Sequence, residues 1–329
     1  MGMPQSSIAY AAARVYHRSR GVLNTARAER LLSAQSAEEA WQILSEMGLD
    51  GADEERNADT AAEERLHSAH RLICSISPKE STTDCFFLRY DGMNLKTLIK
   101  ARMLGKTEGH LSRCGTFPIH VLRHAVAKRQ YNALPATLST ELNALEKILA
   151  VQNDPFLIDI TVDKAIYALV QEKLRKEKSA MVRGYFTARV DMVNAMMLLR
   201  AKGLGKDEAF VEKLMLPGGC VNWEKWKKCF QKTSDLPGVL VNYGEKVGTA
   251  AKNAVADISC LPLFEKAMED ALVKPFYALK DSVYCIESII AYWLATEREA
   301  AAIRLILAAH ENGFATGIIR ERMGELYGK

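Results

Sequence analysis

Two carboxylates, Asp91 and Asp191, have the residue type and the spacing that could support chemistry. Each stands at the same place in a stretch of sequence that occurs twice, one hundred residues apart. Two carboxylates that a fold brings together can act as general acid and base or bind a divalent metal ion. The same residues can instead lie buried and fix how helices pack, because duplication copies architecture as readily as chemistry. We favour the structural interpretation, and a metal-dependent all-α enzyme that uses both aspartates is the alternative.

The remaining candidates for chemistry are weaker. His120 and His124 have the i, i+4 spacing of two metal ligands on a helix, but no motif links an acidic third ligand to them. The sequence GLGK at 203–206 lacks the pattern of a phosphate-binding loop, and neither GxSxG nor a dinucleotide-binding fingerprint occurs. The seven cysteines are scattered without a CxxC pair, which is typical of free thiols in a reducing compartment. We therefore predict no catalytic residue, no metal and no cofactor.

The stretch that contains both aspartates is an internal repeat. Residues 86–106 and 186–206 are identical at nine of twenty-one aligned positions. A weaker third copy follows when Glu299 is aligned with Asp91, and Ala302 then stands where the other two copies have asparagine. We therefore predict three copies of a unit of about one hundred residues. The predicted units are 1–108, 109–206 and 207–329.

Each unit is predicted to be helical. The composition is rich in alanine, leucine, lysine and glutamate and contains only nine prolines, which is typical of an all-α protein. No run of alternating β-branched and aromatic residues lies between turn residues, so strand signals are nearly absent. The glycine-punctuated segment 237–248 interrupts the helical pattern, and we predict a loop or short hinge there.

The repeated acid lies on the apolar side of its predicted helix, where an unpaired carboxylate would be costly. Each copy has a basic residue eleven positions after the acid, on the same helix face, about 16 Å farther along the axis and too far for a direct ion pair. We therefore predict that acid and base contact neighbouring elements or copies and fix how the units pack. The three pairs are Asp91 with Arg102, Asp191 with Lys202, and Glu299 with His310.

Charge and hydropathy narrow the class of protein further. A net charge of +4 on 329 residues is nearly neutral and does not by itself suggest a nucleic-acid partner or an anionic membrane. No stretch has the length and apolar character of a membrane-spanning helix, and the N-terminal residues lack the apolar run of a signal peptide. We expect a soluble, cytoplasmic protein.

The sequence resembles the family of C subunits of A/V-type ATPases and ATP synthases, to which the d subunit of the eukaryotic vacuolar enzyme corresponds. The resemblance rests on both copies of the repeated motif and on a C-terminal motif, and it is supported by 13–44 and 154–167. The three motifs are YDGMNLKTLIKARMLG at 90–105, DMVNAMMLLRAKGLG at 191–205 and EREAAAIRLILAAHENGFATGIIRERMGELY at 297–327.

This resemblance implies three similar helical units around a pseudo-threefold axis, which form a funnel-shaped body. Central-stalk subunits of the D and F type would enter its mouth, and the opposite face would rest on the membrane proteolipid ring. The chain would be a non-catalytic rotor subunit for proton or other ion transport or for ATP synthesis, peripheral to the membrane. It would have neither a nucleic-acid partner nor a small-molecule substrate. An unrelated helical scaffold or adaptor is the non-enzyme alternative.

Ten residues of the repeated and C-terminal motifs are predicted to be structural or interface positions. They are Arg89, Asp91, Asn94, Arg102, Arg189, Asp191, Asn194, Lys202, Glu299 and Arg304. For six of them the resemblance implies a role in shaping the wall of the funnel, namely Asp91, Asn94, Asp191, Asn194, Glu299 and Arg304.

Overall fold

The computed structural model describes residues 7–49, 56–152, 154–279 and 285–328. Within these ranges it contains sixteen α-helices, three single-turn 3-10 helices and no strand, which confirms the predicted all-α class. The α-helices are α1 (Ile8–Ser19), α2 (Thr25–Leu32), α3 (Ala37–Glu46), α4 (Ala58–Ile76), α5 (Glu80–Leu104), α6 (Ile119–Lys128), α7 (Ala136–Leu149), α8 (Pro155–Leu174), α9 (Ala180–Gly203), α10 (Glu208–Leu214), α11 (Trp223–Gln231), α12 (Leu236–Leu240), α13 (Glu245–Ala256), α14 (Leu261–Tyr277), α15 (Ile286–Asn312) and α16 (Thr316–Arg322).

The helices group into two compact units. The terminal unit combines Met1–Lys79 with Lys232–Lys329, and the middle unit is formed by Glu80–Gln231. Two of the three helices that carry the repeated motif, α5 and α9, lie in the middle unit, whereas α15 lies in the terminal unit. Contacts define these two units and sequence similarity defines the repeats. The three-unit boundaries after residues 108 and 206 therefore stay a prediction.

The three motif helices α5, α9 and α15 end in the same way. Gly105, Gly205 and Gly313 follow them with φ of +61°, +63° and +68°. This left-handed backbone is unfavourable for residues with a Cβ, so glycine allows the chain to leave the helix sharply. The glycine that the repeat retains in all three copies therefore marks a helix end.

The prediction of a loop or hinge at 237–248 is wrong, because α12, a 3-10 turn at Val241–Tyr243 and α13 occupy this segment. Pro237 lies in the first turn of α12, where the missing N–H breaks no helical hydrogen bond. Gly244 turns the chain into α13 with φ +132°. Gly248 is buried within α13, where an added Cβ would lie 3.4 Å from Val241 Cα. Glycine and proline here therefore start, join and pack short helices instead of forming a loop.

The terminal unit is built around α15, which packs against α4, α1 and α3. This 27-residue helix buries Trp293, Ile303 and Leu307, among other apolar side chains. Its apolar surface continues into a cluster with Leu31 of α2 and Leu44 of α3. No helix in the part of the chain that the structure describes is both long and apolar enough to cross a membrane.

The middle unit has α5 packed against α8 and α6, and α9 packed against α10 and α11. Gly92 of α5 lets α8 approach closely, since an added Cβ would lie 3.0 Å from Ile166. The phenylalanines that the repeat retains also meet in this unit, with the ring centroids of Phe86 and Phe186 4.8 Å apart. The duplicated helices α5 and α9 therefore contact each other through equivalent residues.

Candidate functional site

The candidate site is a set of three clamps, one on each motif helix. A clamp is the repeated acid, the basic residue eleven positions later, and a short helix that lies between their two side chains. The acid binds the N-terminal end of the short helix and the base binds its C-terminal end. The short helix therefore runs in the same direction as the motif helix.

The first clamp joins α5 to α6. The fully buried Asp91 accepts hydrogen bonds from the N–H of Thr116 at 2.7 Å and of Phe117 at 3.1 Å, just before α6 begins. The hydroxyl of Thr116 donates a further bond at 2.8 Å. At the other end of α6, the guanidinium of Arg102 donates to the carbonyl of Val126. The prediction of partners on a neighbouring element is confirmed for this pair.

A second acid completes the far end of the first clamp. Glu146 of α7 accepts two hydrogen bonds from Arg102, at 2.7 and 2.8 Å, and another from the hydroxyl of Tyr131 at 2.5 Å. The side chain of Glu146 is only 11% exposed, so this ion pair is largely shielded from water. Burial and the adjacent Glu146 carboxylate raise the pKa of Tyr131, which keeps its hydroxyl a hydrogen-bond donor.

The second clamp joins α9 to α11 with the same geometry. Asp191 is fully buried and accepts from the N–H of Cys220 at 2.8 Å and of Val221 at 3.3 Å. Lys202 donates from Nζ to the carbonyl of Phe230, near the end of α11, at 3.0 Å. Lys202 thus binds the C-terminal end of α11, as Arg102 binds the C-terminal end of α6.

The third clamp takes its short helix from the other end of the chain. Glu299 of α15 accepts from the N–H of Leu23 at 2.8 Å, just before α2, and pairs with Arg65 of α4 at 2.9 Å. His310 donates from Nε2 to the carbonyl of Leu31 at 2.9 Å. In the first two clamps the short helix follows its motif helix, whereas α2 precedes α15 by more than 250 residues. N-terminal residues therefore complete the third clamp.

The eleven-residue spacing matches the length of the clamped helix. Eleven residues span about 16 Å along a helix, and α6, α11 and α2 have 10, 9 and 8 residues. The partial positive charge of a helix N-terminus attracts an anion and the partial negative charge of its C-terminus attracts a cation, each stabilising by about 0.3–1 kcal/mol. A rigid motif helix with an acid and a base at this separation therefore complements both ends of one short helix.

Burial and hydrogen bonding act in opposite directions on the clamp acids. Burial raises the pKa of Asp91 to about 6, although the N–H groups of Thr116 and Phe117 stabilise the ionised form. Burial likewise raises the pKa of Glu299, against the positive charge of Arg65 and the N–H of Leu23. The donors are thus needed to hold charged groups in places from which water is excluded.

A glycine makes room for the acid in the first two clamps. An added Cβ at Gly115 would lie 2.2 Å from Asp91 Oδ1, and one at Gly219 would lie 1.9 Å from Asp191 Oδ1. Each glycine directly precedes the residue whose N–H binds the carboxylate. The third clamp has Val22 at this place and uses the longer glutamate. Neither glycine was predicted as a site residue from the sequence, although each comes shortly before a short amphipathic helix.

The repeated asparagine binds the backbone four residues before the first donor N–H. Asn94 donates to the carbonyl of Ser112 at 2.8 Å and accepts from its N–H at 2.9 Å. Asn194 makes the same two bonds to Leu216, at 2.9 and 2.8 Å. In the third copy the corresponding residue, Ser19, is the last of α1, and the N–H of Val22 donates to its carbonyl. This backbone is satisfied locally, which explains why Ala302 can replace asparagine.

A family model described as ATP synthase (C/AC39) subunit matches residues 11–322, a range that includes all three clamps. The chain belongs to this family. Its curated relatives include the C subunit of the A-type ATP synthase of Thermococcus kodakarensis, 23% identical over 82% of this chain and 75% of its own length. The equivalent protein of Methanothermobacter thermautotrophicus is 24% identical over 96% of this chain and 87% of its own length. The resemblance drawn from the motif residues is confirmed.

Three of the motif positions of this C/AC39 family member, all arginines, belong neither to the clamps nor to the asparagine contacts beside them. Arg89 is exposed, with its guanidinium 5.5 Å from the centre of the Tyr90 ring, and Arg189 is half-buried. Arg304 pairs with Asp59 of α4 at 2.8 Å. The structure therefore separates the ten predicted positions into clamp residues, which hold buried backbone, and arginines nearer the surface. Their part in any interface of the C/AC39 family member stays a prediction.

The histidine pair that could have suggested a metal site lies on the clamped helix α6. His120 and His124 are both exposed. Among the residues that the structure describes, no group of three or more His, Cys, Asp and Glu side chains is arranged to hold a metal ion.

Proposed function

We propose that this C/AC39 family member is a non-catalytic central-stalk subunit of an A/V-type rotary ATPase or ATP synthase. It would act as a socket that couples the rotor shaft of D- and F-type subunits to the membrane proteolipid ring. Torque would pass through it during ion transport or ATP synthesis, with the protein peripheral to the membrane on the cytoplasmic side. We further propose that three repeat units around a pseudo-threefold axis form a funnel-shaped body.

The observation that carries this proposal is that all three buried acids already accept hydrogen bonds from the protein backbone. The carboxylates of Asp91, Asp191 and Glu299 bind backbone N–H groups at the start of a short helix. Their lone pairs are thus used to join helices. A part that transmits torque must resist deformation, and a short helix held at both ends by one long helix is a stiff joint. The names of the curated relatives agree with membership of such a complex.

The same observation disfavours the metal-dependent enzyme as an alternative. A divalent ion at Asp91 or Asp191 would have to displace the N–H groups of Thr116 or Cys220, which would then lose the carboxylate that accepts their hydrogen bonds. An unrelated adaptor would also tolerate the clamps, but it would not account for the family match across residues 11–322.

The test is reconstitution of the complex with and without this chain. The chain would be co-expressed with the D- and F-type stalk subunits and the proteolipid ring of the same organism and purified through a tag on the ring. We expect the chain to co-purify, and its omission to remove the stalk subunits from the ring and to uncouple ATP hydrolysis from ion transport. A chain that binds neither stalk nor ring, or a complex that couples fully without it, would refute the proposal.

A further inference from the structure

The outer face of α1 has no role in the clamps. Helix α1 packs against α15 and α4 through Ala11, Ala12 and Val15, which are buried. The opposite side is exposed, and Tyr10 has 49% of its surface open to solvent. We call the exposed basic residues of α1, the Tyr10 that contacts one of them, and Arg20 directly after the helix the basic face of α1. Its members are Tyr10, Arg14, His17, Arg18 and Arg20.

Charge is concentrated on this part of the chain. Residues 1–28 contain four arginines, no lysine and no acidic residue, so this stretch alone equals the net charge of +4 of the whole chain. One of the four, Arg27, lies close enough to Glu299 to lower the pKa of that buried acid. Within the described ranges, Arg14, Arg18 and Arg20 have no acidic partner. The positive charge of residues 1–28 that no acidic side chain pairs with therefore lies on the basic face.

The basic face is also partly ordered for binding. Arg14 donates to the hydroxyl of Tyr10 at 2.9 Å, and its guanidinium carbon lies 5.8 Å from the centre of the Tyr10 ring. These contacts hold the side chain on the surface, which lowers the entropy cost when a partner binds. The planar guanidinium group fits a carboxylate with two parallel hydrogen bonds, and tyrosine and arginine are enriched in protein interfaces.

We propose that the basic face of α1 is a docking surface for an acidic polypeptide segment of another protein. Complementary charge would select the partner, and its carboxylates would pair with Arg14, Arg18 and Arg20. A lipid surface fits less well, because a helix that lies in a membrane interface presents Trp, Phe or Leu to the acyl chains. Helix α1 contains none of these three residue types. The docking surface would serve in any complex that the chain enters, so its failure would leave the rotary assignment standing.

The experiment measures binding of a fluorescein-labelled decaglutamate peptide to the full chain by anisotropy at low ionic strength. The test variant is R14Q/R18Q/R20Q. The control K213Q/K225Q/K228Q removes the same charge from exposed lysines of the middle unit. We expect the arginine variant to bind about tenfold more weakly, since each exposed ion pair contributes only modestly, and the control to bind within about twofold of the parent. Thermal unfolding would verify that both variants are folded.

Three results would overturn this proposal. Equal weakening in the two triple variants would show attraction by overall charge instead of a defined surface. Absence of peptide binding to the parent chain would rule out an acidic segment as the partner. The third result is arginine-dependent binding to vesicles of phosphatidylcholine and phosphatidylglycerol without arginine-dependent binding to the peptide, which would assign the basic face to lipid headgroups.

Discussion

Substituting the glycine beside a clamp acid should destabilise the clamp severely. In Gly115→Ala the new Cβ would lie 2.2 Å from Oδ1 and 2.9 Å from Cγ of Asp91, where ordinary contacts begin near 3.4 Å. The carboxylate would have to move by roughly 1 Å in a closely packed interior, because its side chain is completely buried. The backbone at Gly115 does not require glycine, so the effect would come from the clash alone.

The expected magnitude follows from the bonds that Asp91 would lose. Hydrogen bonds to a charged group contribute about 1.5–3 kcal/mol each, so losing the two from the N–H groups of Thr116 and Phe117 should cost about 3–6 kcal/mol. That is a large part of the roughly 5–15 kcal/mol that stabilises a typical folded domain. Gly219→Ala should behave alike in the second clamp, where the Cβ would lie 1.9 Å from Asp191 Oδ1.

Urea unfolding and hydrogen exchange of the α6 amides would measure this effect. The matched control is Gly184→Ala, in the interior of α9, where an added Cβ meets nothing within 4 Å. That variant should gain about 0.5–1 kcal/mol, because alanine favours a helix over glycine. In the double variant Gly115→Ala/Asp91→Ala, the loss in free energy of unfolding should be smaller than the sum of the two single losses, since the carboxylate that clashes with the new Cβ is gone. A Gly115→Ala variant as stable as the parent, or costs that add fully, would refute the clamp geometry.

Three further predictions concern the same contacts. Asn194→Ala should lower the free energy of unfolding by about 1–3 kcal/mol, because the buried N–H and C=O of Leu216 lose their partner; unchanged exchange of the Leu216 amide would contradict this. Arg102→Met should destabilise by about 3 kcal/mol, because the largely shielded Glu146 then keeps only the more distant Arg129, at 3.8 Å, as a cation. Neutralising that acid as well, by Glu146→Gln, should recover part of the cost in denaturant unfolding. The folded-state pKa of Asp91, about 6, lies above its ordinary value of 3.8, so the native state binds the proton more tightly than the unfolded state does. The contribution of Asp91 to the free energy of unfolding should therefore increase as pH falls from about 6 to about 4, by up to about 3 kcal/mol. Unfolding of the parent and of Asp91→Asn across this range would test the sign, and a difference that shrinks towards acid would contradict it.

The sequence alone determined the helical class, the repeat and the family. Helical periodicity and composition act locally, so they could be read without coordinates. The spacing of acid and base on one face also showed that neither could satisfy the other, because helix geometry sets their distance at about 16 Å. The partners of the acid and the base were therefore expected on neighbouring elements.

Only the tertiary structure decided which elements those are. The partner of Asp91 lies 25 residues away, whereas the backbone partner of Glu299 lies 276 residues away, and no local pattern links Glu299 to Leu23. Likewise, the crowding of Gly115 against a carboxylate arises only when α6 packs on α5. Segment 237–248 was mispredicted for the same reason, since in the packed structure Gly244 joins two short helical segments and Gly248 is buried inside α13. Backbone preferences are encoded residue by residue, but the pairing of distant groups depends on how the whole chain packs.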